Sequence, residues 1–455
     1  MSENKAAVSN QVISSLCEEF KKHNHIPPEV CANLKVRRGL RNADGTGVLA
    51  GVTLIGNVRG YTVVDDERQP SEGQLFYRGI DLEDLVAGII ADNRFGYEEV
   101  AYLILFGVLP TQDQLGTFLD LLHAHRELPK NFTEDMIIKA PSSDIMNKLA
   151  RSVLALYSYD DDPENTSLEN MLRQSISLIA QMPIIAAQAY QVKRHYFENK
   201  SMYLHIPPAG LSTAETLLYC IRPDKKYTPE EAHLLDLCLV LHAEHGGGNN
   251  SAFACRVLSS SGTDTYSAIA AALGSLKGPL HGGANARVYS MFSDIEKNVK
   301  NWKDDEEVMA YLRRIIRREV GDKSGKIYGM GHAIYTKSDP RAVMLKRCAR
   351  SLAEKRGFLE RFELIESVER LTPVVFREEK GDAKVISANV DMYSGLVYEL
   401  LDIPHELFTP IFAIARMVGW CAHRIEEATT GGRIIRPAYK SVCPDIKYVP
   451  LADRT

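Results

Sequence analysis

The chain has 455 residues, 54 Lys+Arg against 59 Asp+Glu for a formal net charge of −5, and it is 45% hydrophobic and 25% charged. At ~150 residues per domain this is ample for roughly two to three domains with a large buried core, and it excludes disorder as the main state. With 31 Gly and 20 Pro the chain is neither collagen-like nor low-complexity, and without a basic block nothing recommends nucleic acid as a partner.

The first thirty residues carry Glu3, Glu18 and Glu19 and no long apolar run, unlike a secretory signal or an acid-poor transit peptide. No stretch approaches the ~18 apolar residues of a membrane span, so no membrane is expected. Eight cysteines, none in a Cys-x-x-Cys pair, read as reduced thiols in a cytoplasmic protein. Residues 11–22 predict a short helix, followed by a connector at Pro27 and Pro28. Short strands are expected at 48–54, 61–64 and 74–77, separated by turns at Gly56-Asn57, Arg59-Gly60 and the run 65–73.

From Asp81 onward helices dominate. Apolar residues at three-to-four spacing mark Tyr97 to Phe106, with Gly107 as a stop, and Thr111 caps the next helix. Further helices are expected near 133–139, 142–157, 166–193, 211–221 and 229–241, the last with Thr228 as cap and Pro229 at its first position. The pattern continues near 264–277, 304–319, 340–356, 359–371, 392–402 and 410–428. Helices do not alternate with parallel strands, so the fold class is mostly α with a few short N-terminal strands. A charge-rich stretch over 295–382 reads as a smaller domain inserted in a larger one.

Five places carry chemistry. In Leu241-His242-Ala243-Glu244-His245-Gly246-Gly247-Gly248-Asn249-Asn250-Ser251 an apolar helix ends in two histidines three apart, so both imidazoles share a face; a zinc pair is a weaker alternative, since no His-Glu-x-x-His frame is present. His281, in Gly278-Pro279-Leu280-His281-Gly282, sits before a helix N-terminus, which disfavours imidazolium; it is a neutral hydrogen-bond donor or a surface turn residue. Gly329 and Gly331 bracket Met330 just before His332, and Pro340 places Arg341 in a first helical turn. Asp391 opens a helix, where capping is the commoner task. Arg416 stands in an apolar helix and must find an anion or reach water.

Taken together and in order, these motifs resemble the citrate synthase family over about 47–439. Phe76-Tyr77-Arg78-Gly79, Glu98 to Leu103, Gly278 to Gly282, Gly331-His332, Asp339-Pro340-Arg341, Asn389-Val390-Asp391 and Ala415-Arg416-Met417-Val418-Gly419-Trp420 carry the likeness. The resemblance implies a two-domain helical fold: an N-terminal extension at 1–35, a large domain at 36–284 and 396–455, and a small domain at 285–395 that closes over the active site. It implies an acyltransferase of the citrate (Si)-synthase type, condensing acetyl-CoA with oxaloacetate and hydrolysing citryl-CoA, at the entry to the tricarboxylic acid cycle. Asp391 matches the base, His281 the donor to the thioester oxygen, and His332 the group that polarises the ketone. His245, Asn249, Arg341 and Arg416 match oxaloacetate ligands, with Arg436 reaching in from the partner of a homodimer or an assembly of dimers. Lys337, Gly329 and Gly331 match the CoA side; Thr336 stands where some relatives carry Arg. Neither a metal nor a cofactor is implied, acetyl-CoA being a substrate.

The rival within the family is 2-methylcitrate synthase, which uses propionyl-CoA; one methylene is worth only ~1–3 kcal/mol, so the pattern alone does not separate the two. A lyase acting on citryl-CoA is a third enzyme reading, but the ATP-grasp and CoA-ligase portions often joined to such domains are not found in this sequence. A catalytically inactive CoA- and dicarboxylate-binding homologue conflicts with the presence of Asp391, His281 and His332 together, and a plain helical scaffold has no use for Arg416.

Overall fold

Caps and apolar spacing make the chain helical. In the computed structural model, Thr111, Ser212 and Thr228 each accept the backbone N–H three residues on, while Gln114, Glu215 and Glu231 reach back to the cap N–H. Gly107 ends Tyr97–Phe106 at φ 84. The structure describes residues 2–42, 44–64, 67–381 and 385–454; Asp65 and Asp66 of the expected turn, and 382–384 of the expected small domain, lie outside them. Seventeen α-helices and one three-stranded sheet are present among the described residues.

The chain divides into two units, 1–52 and 53–455. The first contains the helix Ser2–His23, the short helix Pro28–Asn33 and a bridge between Arg41 and Gly47. Pro28 therefore starts a helix at its first position instead of serving only as a connector.

In the second unit, β1 (Gly56–Val64), β2 (Glu67–Tyr77) and β3 (Ile80–Asp81) form an antiparallel meander. Four expectations fail here. Residues 48–54 contain no strand, residues 67–73 are strand instead of turn, Gly56-Asn57 opens β1 instead of forming a turn, and Arg59-Gly60 lies inside β1 at a register shift. The glycines mislead because they serve close approach. A Cβ on Gly60 would lie 2.5 Å from the Ile334 carbonyl oxygen, and one on Gly73 2.2 Å from that of Ser338. The hairpin thus lies directly against the 334–338 loop, where Gly73 N–H donates to Ser338 Oγ at 3.1 Å and Thr336 Oγ1 to the Ser71 carbonyl at 3.1 Å.

The helix Phe408–Thr429 is the axis of this unit. It is buried continuously from Ala413 to Arg424, and packs against Tyr97–Phe106, Leu168–Glu198, Pro229–His242, Asn250–Ser259 and Thr265–Lys277. A helix apolar all round belongs in such a position. Tyrosine hydroxyls tie its neighbours together: Tyr97 donates to the Ile414 carbonyl at 3.0 Å, and Tyr77 to that of Val240 at 3.0 Å. Asn250–Ser259 was not expected from the sequence; a ten-residue helix of mostly small and polar residues after three glycines lacks an apolar stripe to announce it. Helices Ala284–Asn298, Asp305–Ile316, Pro340–Lys355, Leu359–Lys380 and Asp391–Leu400 pack among themselves.

Gly73→Ala is expected to lower stability by about 1–3 kcal/mol, because the methyl meets backbone. Gly88→Ala, in an exposed helix interior with open space around it, is expected to raise it by about 0.5–1 kcal/mol. Denaturant midpoints of the two variants check both signs.

Candidate active site

Seven of the expected site residues line one cavity of about 120 Å³: His245, Asn249, His281, His332, Arg341, Asp391 and Arg416. Gly282, Asn285, Asn389, Phe408, Thr409 and Phe412 are among the remaining walls.

Arg416 is 1% exposed, and its Nε donates to the His242 carbonyl at 2.6 Å. Its Nη1 and Nη2 have no hydrogen-bond partner among the described residues. Burial pushes the guanidinium down to about 10, with Glu244 opposing, so it remains a cation at neutral pH. A buried fork with unused donors is suited to a carboxylate. His242, expected to face the cavity beside His245, does not line it. Its ring lies 4.6 Å from Phe412, and its contribution is the carbonyl that holds Arg416. His245 does line the cavity; burial and the nearby Arg341 cation keep it neutral, and its Nε2 has no partner among the described residues.

Arg341 is engaged in a different way. Asp339 caps the helix by accepting the Arg341 N–H, then holds the guanidinium through Nε at 3.0 Å and Nη2 at 2.8 Å. The second Asp339 oxygen accepts the Val390 N–H at 3.2 Å, so one carboxylate ties Arg341 to the turn that carries Asp391. Burial would lower the Arg341 guanidinium, but Asp339 holds it above its ordinary value.

Asp391 is the first residue of its helix and caps nothing. The cap position is Val390, and Asn389 before it accepts the Asp391 N–H through Oδ1 at 3.0 Å. The carboxyl is left to the cavity. Burial pushes it up to about 6, Arg341 pulling it back and Asp339 adding to the rise.

The histidines differ in their anchoring. His332 Nδ1 accepts the Ile334 and Tyr335 N–H groups, both at 3.1 Å, which fixes its ring proton on Nε2. Tyr335 stacks on the ring at 4.5 Å. His281 Nε2 lies 3.0 Å from Ser251 Oγ, which accepts the Trp420 Nε1–H at 3.1 Å and lies 3.0 Å from Asn249 Oδ1. Ser251 has one proton to give. Directed at His281, it leaves the ring proton on Nδ1; directed at Asn249, it leaves it on Nε2. Burial and Arg416 press the imidazole down to about 4, so it is neutral near pH 7.

Other expected residues stand outside the cavity lining. Arg436 is exposed on the extended segment after Thr429. Lys337 lines a neighbouring cavity of about 210 Å³ with Ser338, Asp339 and Glu369. Gly329 and Gly331 have φ of 81° and 88°, and their carbonyls accept from the Asn389 backbone and side chain, so they brace the Asp391 turn. Sequence reading singled out neither Ser251, Asn285 nor Asn389 for a role. All three lay within or beside quoted motifs, but as small polar residues they announce no chemistry on their own.

A family model described as "Citrate synthase, C-terminal domain" matches residues 44–438. A citrate synthase of Acidithiobacillus ferridurans is 36% identical over 417 residues, 90% of this chain and 97% of that protein. A 2-methylcitrate synthase of Corynebacterium glutamicum is 31% identical over 92% of this chain and 99% of its own length. The solved ternary complex of citrate synthase from the archaeon Thermoplasma acidophilum with carboxymethyl coenzyme A and oxaloacetate superposes with a TM-score of 0.74 at 28% identity, covering 92% of this chain and 99% of that one.

Turnover that uses the Asp391 carboxylate is expected to lose kcat/KM as pH falls through about 6, one proton abolishing the base, and to be level above that. The pH–rate profile checks it; an acid limb near 4 would assign the titration to His281 instead.

Proposed function

The chain belongs to the citrate synthase family, and from that premise we propose that this cavity condenses acetyl-CoA with oxaloacetate and hydrolyses citryl-CoA to citrate and CoA. One observation carries the proposal above the others. Arg416 presents two unpartnered donors in the same cavity as Asp391 and the neutral imidazoles of His281 and His245.

Oxaloacetate brings two carboxylates. Arg416 and Arg341 take them as cations, with His245 and Asn249 beside them in the cavity wall. The acetyl methyl is a very weak carbon acid, so proton removal needs a base and a stabiliser for the charge that develops on the thioester oxygen. Asp391 takes the proton; a carboxyl raised by burial is the stronger base. His281 donates to the thioester oxygen. That role requires Ser251 to direct its proton at His281 Nε2, leaving Nδ1–H for the substrate. The enolate carbon then attacks the ketone carbon, and the ketone oxygen takes a proton from His332 Nε2, the nitrogen left protonated by the two backbone donors. Water next adds to the citryl thioester and the C–S bond breaks, releasing the CoA thiol.

On this account the described residues of 285–395 form a lobe that closes over the cavity and excludes water until the carbon–carbon bond has formed. Lys337, with the Gly329–Gly331 segment, serves the CoA side. Thr336 does not replace an arginine there, since its hydroxyl is committed to the Gly60 and Ser71 carbonyls. Arg436 lies outside its own chain's cavity, so its part in carboxylate binding requires a homodimer. All eight cysteines are free, which suits a cytoplasmic setting. No helix of the described residues is long and apolar enough to cross a membrane.

Thiol release with oxaloacetate plus acetyl-CoA tests the proposal. We expect turnover that is faster with acetyl-CoA than with propionyl-CoA, and a fall of about a hundredfold to ten-thousandfold in Asp391→Asn. A propionyl-CoA preference would make the chain a 2-methylcitrate synthase with the same machinery. Full activity in Asp391→Asn would remove the base.

A further inference from the structure

One buried acid is left without a task by this chemistry. Glu244 is fully buried, and it points away from the cavity toward the helix Phe408–Thr429. Its Oε1 accepts the Gly246 N–H at 2.5 Å and the His423 Nε2–H at 2.9 Å. The donor assignment at His423 follows from its other nitrogen, which accepts from Arg256 Nη2 at 2.7 Å; Arg256 in turn pairs with Glu427 at 2.8 Å and with Glu426. The chain of contacts therefore fixes the position of the Glu244 carboxylate from behind. Its other oxygen, Oε2, has no hydrogen-bond partner among the described residues.

That oxygen lies beside Arg416. A Cβ on Gly419 would stand 2.4 Å from Glu244 Oε2 and 3.3 Å from Arg416 Cδ, so the acid and the arginine stem meet across the one helical position with no side chain. Yet the two charged groups share no hydrogen bond: both Arg416 Nη groups and Glu244 Oε2 are unpartnered among the described residues. Of the other charged and titratable groups around the arginine, Arg341 has Asp339, His242, His245 and His281 are uncharged, and Tyr77 and Tyr335 are buried phenols, while the Asp391 carboxyl in the same cavity is faced by Arg341. Burial favours a neutral Glu244, but His423, Arg416 and the Gly246 N–H together hold the carboxyl below its ordinary range.

We propose that Glu244 is the counter-charge of the empty anion site: it balances Arg416 without using either Nη group, and so sets how tightly the substrate dicarboxylate binds. It is a positioning residue, since it touches Arg416 and no reacting atom. An isolated buried cation is strongly unfavourable, and a direct ion pair would consume the donors that the substrate needs. A carboxylate held at one remove meets both demands. The same negative charge also repels the incoming dianion, which weakens binding in exchange for a stable empty protein. This inference rests on the proposed function insofar as Arg416 is taken to bind the dicarboxylate.

Glu244→Gln tests it, because the amide oxygen can keep the His423 and Gly246 bonds while the charge is lost. Melting temperature and oxaloacetate binding by calorimetry are measured without acyl-CoA for wild type, Glu244→Gln, Arg416→Met and the double variant. Glu244→Gln is expected to melt several degrees lower when empty yet to bind oxaloacetate about tenfold more tightly. The double variant should regain most of the lost stability, since no unbalanced cation remains. A merely structural Glu244 would give weaker binding and additive losses, and that result overturns the inference. If Glu244→Gln does not fold alone, refolding with saturating oxaloacetate reads the same sign: recovery only with ligand supports the counter-charge, and equal failure in both overturns it. Arg416→Met binding oxaloacetate as wild type does would instead overturn the anion-site assignment beneath it.

Discussion

A guanidinium that is only 1% exposed constrains everything around Arg416. The helix that carries it is buried continuously from Ala413 to Arg424, so the charge faces only the cavity it lines. Three features make the position tolerable. The His242 carbonyl, freed at the end of its own helix, takes Nε; Gly419 leaves room for Glu244 to approach; and Phe412 places its ring 4.7 Å from the guanidinium. None of them uses the terminal nitrogens. The fold thus spends stability on an unfilled pair of donors, which is what a site for an anionic ligand requires.

The remainder of the cavity is built by tying chain ends to one another. Asp339 serves as helix cap, as partner of Arg341 and as acceptor of the Val390 N–H, so the positions of one cation and of the turn that carries Asp391 share a single carboxylate. Asn389 holds the Asp391 backbone N–H and leaves the carboxyl to the cavity. The hairpin of β1 and β2, small as it is, presses Gly60 and Gly73 against the loop that holds His332, and the backbone of that loop fixes the tautomer of the imidazole. Each of these candidate groups is therefore oriented by a neighbour to which the proposed chemistry gives no step.

This division explains what could be read from the sequence. Titratable residues beside glycine or proline (His281, His332, Arg341), an acid at a helix start (Asp391) and an arginine within an apolar helix (Arg416) were legible, and all five line one cavity. Helices with capping boxes were legible too, as at Thr228-Pro229. Residues whose work is positional left no mark, because a serine or asparagine is ordinary until its partner is known. Ser251 acquires meaning only when the helix Asn250–Ser259 brings it to His281 and Trp420. Glycines were the most misleading, since turn propensity and close packing select the same residue; Gly60 and Gly73 lie within strands. His242 and His245, three apart on one helix end, were expected to act together, but the first contributes its carbonyl and only the second its ring to the cavity region.

A crystal structure with oxaloacetate and an unreactive acetyl-CoA analogue is the most direct test. The expected result is one substrate carboxylate on both Arg416 Nη groups, the ketone oxygen facing His332 Nε2, and Glu244 still without a direct bond to the arginine. Oxaloacetate bound elsewhere, or an Arg416 fork left empty beside it, would contradict the claim that this buried cation is the centre of the site.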